Sequence, residues 1–395
     1  MMTTIIVLFW ICLFVTVYTY VGYGVVLYLM VFLKRLLKGR PTPQTLPDDE
    51  HLPEVTFLVC AYNEQDVVDT KMENIRQLDY PTEKLKIMWV TDGSSDDTNK
   101  RLAAYQDIAV VFRPERRGKT AALNHGLSKV KSPITVMTDA NTMVNREALR
   151  EIVRLMQDER VGCVAGEKRV MARQKGEIAA EGEGLYWRYE SALKHLDSEL
   201  YSAMGAAGEL NAIRTALYEP MPEDALLDDF VMSMRIVERG YKIAYTKEAY
   251  AMEYGSANLG EEAKRKRRIA AGGLQSSLWL RRMMLPYPHP LVSFQFVSHR
   301  VLRWTITPIM MMALIPLNVV LVMMKAGSIY TAVWIGQIIF YLAAFAGYWL
   351  QEHGRKNKWL YVPYYFLFMN INVFRGMRYL RHHQGGGTWE KAKRG

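Results

Sequence analysis

VTFLVCAYNE, Val55 to Glu64, is a run of apolar and β-branched residues that stops at a polar turn closed by a carboxylate. The pattern returns twice. KIMWVT (Lys86 to Thr91) runs into Asp92, and ITVMTD (Ile134 to Asp139) ends on Asp139 itself. IAVVFR (Ile108 to Arg113) is a fourth β-rich run, and helical patterns begin near Gln65, Ser95, Lys119 and Arg146. Strands alternating with helices at this spacing predict an α/β fold, a Rossmann-like and mostly parallel sheet covered on both faces. Glu64, Asp92 and Asp139 then follow the C-terminal ends of strands, the edge where open α/β sheets bind ligands. Any one of them reads equally well as a turn or helix-cap residue, as in DGSSDDT from Asp92 to Thr98. Three on one edge point to a shared site.

Outward from this block the apolar residues gather at the two ends. The 395 residues carry 50 Lys and Arg against 40 Asp and Glu, a net charge of +10, with half the chain hydrophobic and 23% charged. That composition excludes intrinsic disorder. Three cysteines, Cys12, Cys60 and Cys163, exclude a disulfide-stapled module, and without a CxxC or Cys/His cluster they read as buried. No charge occurs from Met1 to Leu33, a run long enough to span a bilayer and too long for a cleavable leader. KRLLKGR (Lys34 to Arg40) marks the cytoplasmic side and sets the N-terminus outside. Trp304 to Met324 and Ala326 to Gln351 predict two further spans, the first kinked at Pro308 and Pro316. Trp359 to Phe374 is short, carries Pro363, Asn370 and Asn372, and has basic segments on both sides. It is expected to be re-entrant or interfacial, with a full fourth span as the alternative. The expected organisation is an N-terminal transmembrane helix (1–33), a basic Pro-rich linker (34–54), the α/β domain (55–255), basic and interfacial helices (256–300), a C-terminal transmembrane region (301–375) and a basic cytoplasmic tail (376–395). The sum is a multi-pass inner or plasma membrane protein with a cytoplasmic α/β domain.

Three acids and a lysine at one sheet edge suit a nucleoside diphosphate bound with a divalent cation, which takes hard oxygen ligands. RRGKT (Arg116 to Thr120) brings positive charge to the start of a helix, where free N–H groups also favour anions. The GxxxxGK[ST] spacing is absent, so an ATP-hydrolysing P-loop loses its support. The positive charge is largely explained by clusters flanking the membrane segments, and no nucleic-acid partner is expected.

AYNE (Ala61 to Glu64), DGS from Asp92, GKTAALN (Gly118 to Asn124), DAN (Asp139 to Asn141), GAAGELNAIR (Gly205 to Arg214), LDDF (Leu227 to Phe230) and RKRRIAAGGLQ (Arg265 to Gln275) occur in that order. The ordered set resembles the membrane-embedded family 2 glycosyltransferases, the group of cellulose, hyaluronan and poly-N-acetylglucosamine synthases. The resemblance runs from Val55 to about Gln275. It implies a GT-A type domain that uses a UDP-sugar and Mg²⁺ or Mn²⁺. It further implies inverting transfer to a growing exopolysaccharide, coupled to passage of that chain across the membrane. Ala61, Tyr62, Glu64, Asp92, Lys119 and Asp139 would form the nucleotide-sugar pocket, with Asp139 and Asn141 on the metal. Gly205, Gly208, Glu209, Asp228, Arg265 and Ile269 would lie on the acceptor side. Asp229 would be the base and Arg268 the partner of the leaving diphosphate.

The chemistry asks for these roles. One group must take the acceptor proton while others neutralise charge growing on the diphosphate. Adjacent helical residues point about 100° apart, so Asp228 can start a helix while Asp229 faces the acceptor. A neighbouring like charge raises a carboxylate's pKa usefully. Arginine's planar fork pairs phosphate at two points. KRKRR (Lys264 to Arg268) reads also as a patch for anionic membrane lipid. Three departures bear on function. Asn141 stands where the family has a second acid, Arg265 where it has Gln, and Ile269 where it has Trp. Isoleucine cannot stack on a sugar, which keeps non-processive transfer of one sugar to a lipid-linked acceptor as the rival. A catalytically silent subunit of a synthase complex is a rival of another class, and homo-oligomerisation or accessory secretion subunits stay open. LYWRYE (Leu185 to Glu190) reads first as core or membrane-facing surface and second as an acceptor path.

Overall fold

In the computed structural model, which describes residues 1–382 apart from 41, 43, 172–177, 256–258 and 356, the four β-rich runs are all strands. Helix α1 (Met2–Lys38) leads to β1 (Val55–Ala61), α2 (Val68–Arg76), β2 (Leu85–Asp92), α3 (Thr98–Leu102), β3 (Ala109–Arg113), α4 (Lys119–Leu127) and β4 (Ile134–Asp139). Then come β5 (Met143–Val144), α5 (Ala148–Leu155), β6 (Val161–Met171), α6 (Ile178–Leu200), β7 (Asn211–Arg214), α7 (Asp228–Glu238) and β8 (Lys242–Tyr254). The chain continues into α8 (Leu259–Trp279), α9 (Pro290–Phe296), α10 (Ile306–Met323), α11 (Ser328–Glu352) and α12 (Lys358–His382).

The eight strands form one sheet in the order β3-β2-β1-β4-β7-β6-β8-β5. Pairing is parallel from β3 through β4 and again between β6 and β8. It is antiparallel where β7 joins β4 and β6, and where β5 joins β8. The sheet is therefore mixed, and the parallel half is the half the sequence pattern reveals. β7 reverses because α6 does not simply cross back over the sheet. It runs out along α1, packing Leu193 and Leu200 against Tyr23, Leu27 and Val31, and the chain re-enters from the other end.

Side chains alternate across β1, as the two-residue strand period requires. Phe57 and Val59 meet Met72 and Ile75 of α2 and Leu149 and Ile152 of α5. Leu58 and Cys60 face Leu123 and Leu127 of α4 and Val231 and Met234 of α7. Burial on both faces explains why the strand reads as a continuous apolar run. Each fully buried Phe57, Leu58 or Val59 contributes about 1.5–3 kcal/mol. Register brings the strand ends level, with Ala61 beside Thr91 and Cys60 beside Asp139. Asp92, Asp139 and the turn after Ala61 consequently share an edge.

Among the described residues three helices, α1, α10 and α11, are long and apolar enough to cross a membrane. Phe9 and Cys12 of α1 pack against Leu314 and Leu321 of α10 and Tyr330 of α11. The first helix outlasts its expected end at residue 33 and reaches Lys38 after a π turn at Tyr18–Gly22. Lys34 donates to the carbonyls of Glu199 and Leu200, and Arg35 to the Glu199 carboxylate. These basic residues lie at a helix C-terminus, where cations are favoured. Pro308 falls in the first turn of α10, where no N–H is needed, so only Pro316 interrupts that helix. The segment expected to be re-entrant or interfacial, with a full span as the alternative, is one unbroken helix of 25 residues, packed on α8 and α11. It makes no reversal because Asn370 and Asn372 donate back to the carbonyls of Phe366 and Phe368 within the helix. The expected tail continues this helix as far as His382, and residues 383–395 lie outside the described residues.

Candidate active site

A cavity of 970 Å³ opens at the level strand ends and extends to the apolar helices. The turn after β1 contributes Ala61, Tyr62 and Glu64; β2 ends in Asp92 and β4 in Asp139, with Asn141 just beyond. Lys119 starts α4, Gly208 and Glu209 precede β7, Asp228 and Asp229 start α7, and Arg265, Arg268 and Ile269 come from α8. Every site residue named from the sequence lines this one space except Gly205. That glycine packs against α7: its φ is +95°, and a Cβ there would lie 2.2 Å from the Phe230 ring. Only glycine tolerates both constraints.

Lys119 sits at the centre. Its ammonium lies 2.6 Å from Asp139 Oδ1 and 3.9 Å from Asp228 Oδ2. Burial opposes its charge, but Asp139, Asp228 and Asp229 together hold its pKa well above the ordinary lysine value. Gly208 closes the group: a Cβ on it would stand 3.1 Å from Lys119 Nζ and 3.3 Å from Asp229 Oδ2. Any side chain there would fill the gap between cation and carboxylate. The Phe230 N–H donates to Asp229 Oδ1 at 2.8 Å, leaving Oδ2 toward Gly208. Burial, then the charge of Asp228, pushes Asp229 up to about 7, with Lys119 opposing. Burial and Arg265 lower the pKa of Arg268, and Asp228, Asp139 and Asp229 support its charge.

Several site carboxylates already have partners. Asp92 accepts the N–H groups of Arg117 at 2.9 Å and Gly118 at 2.6 Å, so it shapes the loop that starts α4. The Arg116 guanidinium lies 3.9 Å from the centre of the Tyr62 ring at the same mouth. Glu209 takes Lys168 at 2.5 Å and Arg265 at 3.4 Å. Burial would raise it, yet those two cations hold it well below the usual carboxylate range.

Further residues lie behind this cavity or on its far wall. Lys71 of α2 is fully buried and supports the Asp139 turn from behind, donating to the Thr138 hydroxyl and the Thr142 carbonyl. Burial pushes its pKa down to about 7. From LYWRYE, Trp187, Tyr189 and Glu190 line the cavity, while the side chains of Leu185 and Tyr186 lie outside the described residues. Lys194, Arg300 and Arg303 complete that wall. Glu190, Lys194 and Asp197 have helical spacing, which reads as a solvated face; all three are buried.

The sequence profile of glycosyltransferase like family 2 matches residues 53–272, more than half of the chain. The chain belongs to the family 2 glycosyltransferases. The matched region takes in every element that lines the sheet-side cavity, from β1 to Arg268 of α8. This glycosyltransferase is 28% identical over 235 residues to a poly-beta-1,6-N-acetyl-D-glucosamine synthase of Staphylococcus aureus, covering 57% of this chain and 55% of that protein. It is 26% identical over 236 residues to a probable glycosyltransferase of Bacillus subtilis, YdaM, covering 54% of each. The chain thus spans about half the length of the curated relatives it matches. Its fold is that of a mannosyltransferase of Pyrobaculum calidifontis, PcManGT, solved with GDP-Man and Mn²⁺. The TM-score is 0.70 at 22% identity, over 95% of this chain and 99% of that one. The enzyme is accordingly a GT-A type glycosyltransferase domain joined to three helices apolar enough to span a membrane.

Proposed function

We propose that this glycosyltransferase moves a sugar, with inversion, from a UDP-sugar to a growing exopolysaccharide and helps pass that chain across the membrane. The observation that carries the reading is the convergence of Asp92, Asp139, Asp229 and Arg268 on one cavity, with Lys119 between the acids. The Staphylococcus aureus relative supports a polysaccharide product.

In this mechanism Asp229 takes the proton of the acceptor hydroxyl as that oxygen attacks the anomeric carbon. A carboxylate with a pKa near 7 is a stronger base than an ordinary one and is still substantially ionised at neutral pH. Arg268 and Lys119 stabilise charge growing on the departing diphosphate. The turn carrying Tyr62 and Glu64, with Asp92 across from it, frames the nucleoside. Gly208, Glu209, Asp228, Arg265 and Ile269 border the acceptor.

A divalent cation fits Asp139 and Asn141, the two hard-oxygen residues of the β4 turn. Asp139 Oδ1 already accepts a cationic neighbour, the Lys119 ammonium at 2.6 Å. Among the described residues no group of three His, Cys, Asp or Glu side chains is arranged to hold a metal, so the nucleotide's own oxygens would complete the shell. Mg²⁺ or Mn²⁺ bound there would neutralise diphosphate charge; PcManGT was solved with Mn²⁺. The domain limits 55–255 and 301–375, and a cytoplasmic catalytic face marked by Lys34 to Lys38, belong to the same proposal.

Ile269 on the cavity wall favours one second reading, addition of a single sugar to a lipid-linked acceptor. The test is a screen of UDP- and GDP-sugars for metal-dependent nucleotide release, followed by product sizing with the active donor. A ladder of products supports the polymerase, and a single lipid-soluble product supports the second reading. No metal-dependent release from any donor would overturn both.

A further inference from the structure

The sheet-side half of the cavity is used by the transfer chemistry; the other half, against the apolar helices, holds charges that chemistry does not need. α6 presents Glu190 and Lys194 one turn apart on this wall, 2% and 6% exposed. Glu190 is well supplied: it accepts from Arg300 at 2.5 Å and Arg303 at 2.7 Å. His299 lies 3.0 Å from the same carboxylate and is held on its other side by Asp197. Lys194 has no hydrogen bond and no ion pair among the described residues. Its ammonium is 5.8 Å from the centre of the Trp187 ring.

A buried ammonium without a partner is costly, because water has been removed and nothing replaces it. Burial and the nearby Arg300 both disfavour the charge on Lys194, with Glu190, Glu209 and Glu167 opposing at longer range. An anion entering this half of the cavity would give Lys194 a partner, with Arg300, already held by the Glu190 carboxylate and the Met204 carbonyl, adding its charge. The wall beside them tells what carries that anion. Tyr20 and Val21 of α1, Trp304 at the foot of α10, and Val362 and Phe366 of α12 make it apolar and aromatic. Of these helices, α1 and α10 are long and apolar enough to cross a bilayer.

We propose that this half of the cavity is a subsite for a phosphate group borne on a hydrocarbon tail, contacted by Lys194 and Arg300. It is the anchoring group of a lipid-linked acceptor whose hydroxyl or glycan end points toward Asp229. The inference rests on the reading of the sheet-side half as the donor site and on the second reading above, transfer to a lipid-linked acceptor, and it names where the phosphate of that acceptor would sit. Glu190 is a positioning residue, since its carboxylate holds Arg300 at 2.5 Å and Arg303 at 2.7 Å.

The experiment uses the full chain in a neutral detergent, titrated with dodecyl phosphate, dodecanol, inorganic phosphate and glucuronate. Binding is read from the thermal unfolding midpoint. Dodecyl phosphate is expected to bind at least about tenfold more tightly than any of the other three, the margin of one charge-assisted hydrogen bond. Lys194→Gln should lose about tenfold of that affinity. Lys194→Arg should keep it to within about threefold, since it restores a cationic donor. UDP titrated into the same preparations reports whether each variant is folded. If Lys194→Gln loses UDP binding as well, the comparison of dodecyl phosphate with dodecanol on the parent and on Lys194→Arg decides. Equal binding of dodecyl phosphate and dodecanol overturns the proposal, as does an unaltered Lys194→Gln. Inorganic phosphate or glucuronate binding as tightly as dodecyl phosphate would show a site for a free anion and overturn the lipid assignment. A parent that binds dodecyl phosphate but no UDP would sink the donor reading alone.

Discussion

Transfer should fall about tenfold for each pH unit below 7, because the base must be ionised before it can take the acceptor proton. Asp229 is raised to about 7 by burial first and by Asp228 second, with Glu209 adding to the rise and Lys119 opposing it. At pH 6 roughly a tenth of the sites would be active. Asp228→Asn removes one of the two main causes, so the acidic limb should move down by on the order of one unit even if the plateau drops. Nucleotide release is measured from pH 5.5 to 8.5 with both substrates saturating, on the parent, Asp228→Asn and Asp229→Asn. The last should be lower by on the order of 10²–10⁴-fold and lack the limb. Stability gives the sign independently. A carboxylate whose folded pKa is raised contributes stability below its unfolded value, and that contribution is lost as pH rises through about 7. Asp229→Asn should therefore stabilise the protein more at pH 8 than at pH 5, by at most roughly 2–3 kcal/mol. A limb that stays in place in Asp228→Asn, or persists in the residual activity of Asp229→Asn, would refute the assignment of the base.

Lys71→Met keeps the volume of the side chain but removes the donors behind the Asp139 turn. Half-saturation by Mn²⁺ should rise by on the order of tenfold in a metal titration of nucleotide release. Gly205→Ala places a methyl group against Phe230 on a backbone that disfavours it, and should cost about 1–3 kcal/mol in thermal unfolding. Glu190→Gln leaves Arg300 and Arg303 without their shared carboxylate and should cost roughly 3–5 kcal/mol by the same measurement.

What could be read from sequence follows from how local each cause is. Strand positions and the acids that follow them were legible because burial on both faces writes itself into Val55 to Cys60 and Ile134 to Thr138 as runs of apolar and β-branched residues. The direction of β7 was not, since it depends on where α6 packs, and the partner face of α6 is on a helix at the other end of the chain. Pro363, Asn370 and Asn372 suggested a break in the last hydrophobic segment. The helix absorbs the two asparagines through bonds to its own carbonyls and carries Pro363 near its start without ending. Lys71, Glu190 and Lys194 look like ordinary surface charges. Their burial is set by contacts such as Glu190 to Arg300, 110 residues away in sequence. Charge identity is written locally, whereas desolvation is not.

The π turn at Tyr18–Gly22 has a mechanical consequence. Such a turn accommodates one extra residue within a helix and shifts the phase of everything after it. On one side of it α1 offers Phe9 and Cys12 to α10; on the other it offers Tyr23, Leu27 and Val31 to α6. The anchor therefore works as an indexed shaft with two keyed ends, one seated among the apolar helices and one locked to the wall of the catalytic chamber. Removing a single residue at the turn would rotate one end against the other by about 100° and shorten the shaft by about 1.5 Å. Such a change would misalign the cavity with the apolar helices that α1 joins to it.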